Sequence, residues 1–370
     1  MIHYEALKMG KGLVHKLGYK YIEVVTNDVN STVKNAYVLS DEQKKKIKRI
    51  SRETLFWSAM IGALAVLFVV IPMHVWPDLF GIQKFVFFGM HIEFEVYYTL
   101  FGIVMLFPEI WALNFVNLRA VRNIAKVCNY PNKSVKDYKE QLELLTEAGL
   151  EKPAKHLAIF NIDPFIGLSK FSYYSLFILT KLKATLTNIA IKLLVKRFLG
   201  RYALRIVTDL AGIPIFAFWN AWASYQVIKE TKMRLMASGA TDDFLEEITD
   251  ENLKAIQNQI GPLFHFIAQQ KRAYNFALYA YMKAVIIRIP DVKIDNNKEI
   301  KLDDLFTKND TDNKLIAKML VFGLMVDGSL SIKEKLILKK LSDQSWFPYD
   351  IDQLEDAVKN YRDGHGLVEL

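Results

Sequence analysis

Three polar residues stand in stretches that are otherwise apolar, and they are the first candidates for chemistry. Glu109 lies in VYYTLFGIVMLFPEIWALNFVNL, residues 96–118, while Asp209 and Asn220 lie in DLAGIPIFAFWNAWASYQVIKE, residues 209–230. Ionisable groups at mid-bilayer are costly and often mark a path for ions or protons. The alternative is that Glu109 lies near a headgroup layer, faces protein or is protonated.

Other residue patterns do not indicate catalysis. MGKGLVHK, residues 9–16, lacks the spacing of a phosphate-binding loop, and the sequence contains no Gly-x-Ser-x-Gly, HExxH or CxxC motif. Cys128 is the only cysteine, which excludes an intrachain disulfide and a zinc site built from cysteines. We therefore predict no catalytic residues, no metal site, no cofactor and a protein that is not an enzyme. A membrane-lipid enzyme without a recognisable motif stays open as a third choice.

Two long apolar segments predict helices that span a membrane. The chain is 52% hydrophobic with a mean hydropathy of +0.11, and residues 54–77 contain no charged side chain. This segment and residues 96–118 are both long enough for a hydrocarbon core of about 30 Å. The apolar piece FVFFGM, residues 85–90, is too short to span, and we expect it to dip into the outer interface.

The charges that flank these segments predict their orientation. DEQKKKIKRISR, residues 41–52, precedes the first span, and Arg119, Arg122 and Lys126 follow the second, whereas the loop between them has one lysine against three acidic residues. By the positive-inside rule, the two helices form a hairpin with both ends in the cytoplasm.

Charge is divided unevenly along the rest of the chain. Residues 119–205 contain 16 basic and 6 acidic side chains, a net charge of +10, whereas residues 241–370 contain 17 and 22, a net charge of −5. The basic part could satisfy the electrostatic requirement for nucleic-acid binding, but no such motif accompanies it. We predict anionic membrane lipids as its partner and no nucleic acid.

A lysine stripe within residues 171–200 is typical of a helix that lies in the membrane surface. Polar residues recur there every three or four positions, and the predicted headgroup-binding residues are Lys181, Lys192, Lys196 and Arg197. The alternative is an ordinary amphipathic helix packed on its own domain.

Residues 193–239, LLVKRFLGRYALRIVTDLAGIPIFAFWNAWASYQVIKETKMRLMASG, resemble the C-terminal part of EcsC-like bacterial proteins. In these proteins a basic helix leads to a hydrophobic hairpin that contains small residues and proline, and then to an Asn-bearing helix with a basic end. The resemblance implies a membrane-associated bacterial protein and offers no established catalytic residues.

Residues 206–228 are long enough to cross a bilayer, but basic clusters flank them on both sides. Because a crossing would place one cluster outside, we favour a helical hairpin that enters the cytoplasmic leaflet or packs on the domain. Gly212 and Pro214 would break it about one turn in. A crossing stays the alternative.

The acidic C-terminal region predicts a helical domain. A long buried helix is expected from near Pro262 to Pro290, followed by a polar segment over residues 291–314 that is either a linker or an exposed insertion. AKMLVFGLMVDGSLSIKEKLILKKL, residues 317–341, then predicts helix, Asp-Gly turn and helix, the second capped by Ser331 with Glu334.

This arrangement resembles the TerB-like helical module, which would cover residues 314–363. By analogy with that module, Asp327 and Glu334 would be metal ligands. The loop lacks the alternating oxygen ligands of an EF-hand, however, and capping already accounts for Ser331 and Glu334. We favour the capping role.

Together these observations predict an all-α membrane protein with a two-helix transmembrane hairpin and helical cytoplasmic domains. The predicted segments are a cytoplasmic helical part, the hairpin, a basic membrane-apposed region and an acidic domain, over residues 1–53, 54–118, 119–240 and 241–370. The predicted function is a membrane-anchored interaction or scaffold protein of the bacterial inner membrane, with an envelope or stress process as the expected setting. Residues 241–370 would bind a cytoplasmic protein. The alternative is an oligomeric transporter or channel component that uses Glu109 and Asp209, and a homo-oligomer is possible in either case.

Overall fold

The computed structural model of the chain describes most of the N-terminal third and nearly all residues after 210. The described residues are 13–26, 38–80, 83–87, 90–94, 96–131, 138–150, 160, 162–165, 169, 171, 175, 210–272, 275–292, 294 and 299–367.

These residues are predominantly helical, which confirms the predicted helical class. The α-helices are α1 (Leu13–Thr26), α2 (Asp41–Val75), α3 (Val96–Val127), α4 (Tyr138–Gly149), α5 (Gly212–Glu246), α6 (Asp250–Ala255), α7 (Gln257–Lys271), α8 (Phe276–Arg288), α9 (Asp310–Met325), α10 (Ile332–Ser342) and α11 (Ile351–Arg362). Short 3-10 helices cover Pro77–Phe80 and Leu302–Leu305.

One β hairpin interrupts the helical pattern. Strands β1 (Gln83–Phe87) and β2 (Met90–Phe94) pair antiparallel, with Gln83 opposite Phe94 and Phe87 opposite Met90. The sequence predicted only an interfacial loop here. Phenylalanine, valine and isoleucine favour strands, and the two-residue connection allows the strands to pair directly.

The chain divides into two compact units, each assembled from separate stretches of sequence. Unit 1 comprises residues 1–48, 121–169 and 229–370, and unit 2 comprises residues 49–120 and 170–228. Helices α2, α3 and α5 each contribute residues to both units.

Unit 2 contains most of the two helices that are long and apolar enough to cross a membrane, at Asp41–Val75 and Leu100–Val127. Many large apolar side chains on these helices are exposed, although others such as Val70 and Ile124 are buried. On α2 the exposed ones are Phe56, Trp57, Met60, Leu64, Phe68, Ile71 and Val75, and on α3 they are Tyr97, Leu100, Ile103, Val104, Leu106, Phe107, Ile110, Trp111 and Phe115.

Helix α5 begins at Gly212, directly after a turn at Ala211 that separates it from the helical residue Leu210, so the chain breaks where the sequence predicted. Pro214 lies in the first turn of the helix, where a proline removes no intrahelical hydrogen bond, and α5 then continues to Glu246. The preceding residues 201–209 lie outside the described part of the chain.

Unit 1 has a densely packed aromatic centre. Phe244 stacks on Phe322 with ring centroids 4.0 Å apart, and Tyr281 meets Phe322 and Phe264 edge-on at 4.9 Å and 5.3 Å. Tyr281 is completely buried, and burial raises the pKa of its phenol well above the ordinary value. These contacts join α5, α7, α8 and α9 into one core.

The single helix predicted between Pro262 and Pro290 is in fact two helices. Arg272 ends α7 in the left-handed conformation, with φ of 48°, and Asn275 begins α8 by accepting hydrogen bonds from the backbone N–H groups of Ala277 and Leu278. Pro262 lies inside α7 rather than at its start. The predicted burial is confirmed, since both helices contain many buried side chains.

The polar stretch 291–314 is only partly a linker. It includes the 3-10 helix Leu302–Leu305 and the start of α9, which Asn309 caps by accepting from the backbone N–H of Thr311. The Asn313 side chain also accepts from the backbone N–H of Thr307, at 2.8 Å. Local side-chain to backbone hydrogen bonds therefore fix the structure of residues 307–313, although the composition predicted no regular structure there.

Cys128 lies in the core of unit 1, directly after α3. Its side chain is 4% exposed, and burial raises the pKa of the thiol to about 12, although the charge of Lys232 lowers it. The thiolate is the reactive form of cysteine, so this residue is protected while unit 1 stays folded.

We predict that Cys128 does not react with a disulfide reagent in the native protein at pH 8, because burial keeps the thiol protonated and shields it from the reagent. Denaturation should release one reactive thiol per chain, measured by absorbance of the released chromophore. As a control, Cys128→Ser combined with Ser342→Cys, which places the thiol at an exposed position, should react at once. Equal native rates for the two proteins would contradict the protection.

Candidate functional site

The structure brings together two of the three predicted intramembrane polar residues. The side-chain amide of Asn220 on α5 donates a hydrogen bond to Glu109 Oε1 on α3, at 2.9 Å. Both residues belong to unit 2, and Glu109 is half-buried. The third predicted residue, Asp209, lies outside the described residues.

A second polar contact lies one helical turn further along α5, at the fully buried Ser224. Its hydroxyl donates to Asn117 Oδ1 on α3 at 2.6 Å, and its oxygen lies 2.6 Å from the hydroxyl of Ser58 on α2. A serine hydroxyl has one proton, so Ser58 is the donor in the second bond. Ser224 therefore joins all three helices, and we call Ser58, Glu109, Asn117, Asn220 and Ser224 the polar seam.

Close backbone contact accompanies the polar seam. Gly62 lies one turn along α2 from Ser58, and a Cβ atom added there would be 2.5 Å from the backbone oxygen of Phe216 on α5. Small residues four positions apart let helices approach closely, which is a common basis of helix association in membranes.

The polar seam mainly holds α2, α3 and α5 together through hydrogen bonds. Glu109 is its one ionisable member, and the amides of Asn117 and Asn220 do not titrate, so they cannot pass protons along the seam. The sequence indicated Glu109 and Asn220, and it missed Ser58 and Asn117. The spacing of Ser58 and Gly62 within an apolar segment is the signal that could have found the first of these.

The predicted headgroup-binding residues Lys181, Lys192, Lys196 and Arg197 lie outside the described residues. Their role as a lipid contact stays a prediction.

Unit 1 contains a buried charge cluster around Lys271, at the C-terminal end of α7. Its ammonium donates to Asp327 Oδ1 at 2.9 Å and to the backbone oxygens of Leu324 and Ser329 at 2.6 Å and 3.0 Å. Glu334 Oε1 lies 3.1 Å away, and the lysine side chain is only 5% exposed.

The same cluster forms the turn between α9 and α10. Asp327 Oδ2 accepts from the side-chain amide of Asn275 at 2.7 Å, and its Oδ1 accepts from the backbone N–H of Ser329 at 3.0 Å. The predicted capping box is confirmed, because the Ser331 hydroxyl accepts from the N–H of Glu334 and the Glu334 carboxylate accepts from the N–H of Ser331. Asp327 and Glu334 thus converge on an ammonium group.

A pocket of about 200 Å³ lies between α4, α5 and α8 in unit 1. Glu140 on its wall accepts from the Tyr279 hydroxyl at 2.8 Å and from the Lys283 ammonium at 2.9 Å, which ties α4 to α8. Gln141 and Thr241 add polar atoms to the lining. Its lining is mixed, with the charged side chains of Glu140, Asp242 and Lys283 beside apolar ones such as Leu144 and Ile287. Its lining residues include no cysteine or histidine and no Ser–His pair for nucleophilic catalysis.

Comparison with known proteins gives no further assignment, since no family model, curated protein or solved structure matches the chain. The EcsC-like and TerB-like resemblances stay predictions.

We predict that Gly62→Ala destabilises the helix packing of unit 2 by about 1–3 kcal/mol, because the added methyl group would overlap the backbone of α5. The matched control is Gly102→Ala on α3, where an added Cβ meets no atom within 4 Å. That change should be neutral or slightly stabilising. Thermal unfolding of the detergent-solubilised proteins measures the difference, and equal effects of the two substitutions would contradict the close contact.

We also predict that Lys271→Met destabilises unit 1 by about 3–5 kcal/mol, because it leaves the carboxylates of buried Glu334 and partly buried Asp327 without their cation. Lys335→Met is the control, since that lysine is 36% exposed in its ion pair with Glu355 and its loss should cost less than about 1 kcal/mol. Denaturant unfolding of the full chain measures both. A Lys271→Met protein as stable as Lys335→Met would exclude this role.

Proposed function

We propose that this chain is a membrane-anchored interaction or scaffold protein of the bacterial inner membrane, with both termini in the cytoplasm. The observation that carries the proposal is the exposure of apolar side chains on α2 and α3, such as Phe68 at 62% and Phe107 at 69%. Moving apolar surface out of water is worth about 25 cal/mol per Å². A lipid environment would stabilise this surface, whereas water would not.

The polar seam favours a membrane-anchor function over a transporter or channel function. In hydrocarbon a polar side chain needs an internal partner, and the contacts of Asn117, Asn220 and Ser224 supply such partners within unit 2. The competing transporter or channel function would use Glu109 and Asp209 in an assembly of several copies. Glu109→Gln with Asp209→Asn would then change ion or proton flux in vesicles, whereas an anchor would show no change.

The interaction part of the proposal rests on unit 1, which has its own packed core. The acidic residues 241–370 are the proposed site for a cytoplasmic protein partner, in an envelope or stress process. The basic region would be held on anionic lipids by Lys181, Lys192, Lys196 and Arg197.

Helix α10 presents an apolar strip that a partner could bind. Its residues Ile332 and Leu336 are 80% and 62% exposed and lie one turn apart.

We predict that a photo-crosslinking amino acid at Ile332 or Leu336 of the full chain captures the same cytoplasmic protein in living cells. The matched control is Leu338, which is fully buried on the same helix and should give no adduct. A reporter fused at Leu370 should be active in the cytoplasm, and the protein should resist extraction from membranes by alkaline carbonate.

Three results would overturn the proposal. These are an extracytoplasmic reporter at Leu370, release of the chain by carbonate, or the absence of any shared protein adduct at the two exposed positions.

A further inference from the structure

One histidine and two glutamates converge between α1 and α4 in unit 1. His15 lies on α1 and is 3% exposed, while Glu143 and Glu147 lie on α4 and are half-buried. One ligand atom from each residue lies within 4.8 Å of the other two. These side chains come from segments that are far apart in the sequence.

The helical spacing places both carboxylates on the same face of α4. Glu143 and Glu147 are four residues apart, which puts them on one face of α4. Two like charges at this spacing repel each other by a few tenths of a kcal/mol. A cation between them would remove that repulsion, and a ligand from α1 would complete its binding.

The donor set selects a class of ion. One imidazole nitrogen and two carboxylate oxygens suit Zn²⁺, Fe²⁺ or Mn²⁺, whereas Mg²⁺ and Ca²⁺ prefer oxygen ligands alone. Ligand atoms at about 2.1 Å from zinc lie about 3.4 Å apart in tetrahedral geometry. The ligand atoms of the three residues lie within 4.8 Å of one another, so side-chain rotation would bring them to this spacing.

We propose that His15, Glu143 and Glu147 bind a divalent first-row transition ion, with water in the remaining coordination positions. Three protein ligands leave the ion open to exchange, unlike a closed structural site with four. Because the ligands come from two helices, the bound ion would link α1 to α4. This site is independent of the proposed anchor and partner.

The test uses the full chain in detergent, with any histidine tag removed and metal stripped by a chelator. Titration with Co²⁺ should produce a visible d–d absorption band at a stoichiometry of one ion per chain, and Zn²⁺ should displace it. Glu143→Gln and Glu147→Gln keep side-chain shape, and each should weaken binding about tenfold or more, as should His15→Ala.

Two substitutions serve as matched controls. His365→Ala and Glu355→Gln change exposed or half-exposed residues in the same unit, and they should leave the affinity unchanged. The proposal is overturned if the wild-type chain gives no cobalt band. It is equally overturned if the band survives Glu143→Gln and Glu147→Gln in proteins whose circular dichroism shows that they are folded.

Discussion

The hydroxyl of Ser224 is the interaction on which unit 2 depends. Its one proton goes to Asn117 on α3, so its oxygen is left to accept from Ser58 on α2. A buried polar group without a partner costs more free energy than a hydrogen bond normally contributes. The buried hydroxyl of Ser224 has both of its partners only when the three helices pack together, so these bonds favour that packing. Asn220 repeats this principle one turn away with Glu109, and Gly62 makes the necessary close approach possible.

In unit 1 the same need for partners applies to buried charged groups. The buried ammonium of Lys271 has carbonyl and carboxylate partners from the end of α9, the following turn and the start of α10. Burying the charged groups is unfavourable in itself, and the cluster is stable only because each charge meets its counterpart. The turn between α9 and α10 is thus fixed both locally, by the capping box, and from outside, by α7.

The two units indicate a division of labour. In unit 2 the exposed faces of α2 and α3 are apolar and the polar contacts face inward, which is the arrangement expected of helices in lipid. Unit 1 has a buried apolar core, with charged groups, a pocket and the His15–Glu143–Glu147 cluster around it and an exposed apolar strip at Ile332 and Leu336. Under the proposed function, unit 1 would offer the groups available to ligands and partners, and unit 2 would attach the chain to the membrane.

Local sequence determined the features that depend on local physics: the two long apolar helices and the Ser331–Glu334 capping box. Hydrophobic length and capping act over a few residues, so they can be read without the fold. The break between α7 and α8 was missed because Arg272 has no intrinsic preference for the left-handed conformation that it adopts. Only tertiary structure decided that Asn220 meets Glu109, that Lys271 joins Asp327 and Glu334, and that the His15 cluster exists, because residues distant in sequence must first be brought together by packing.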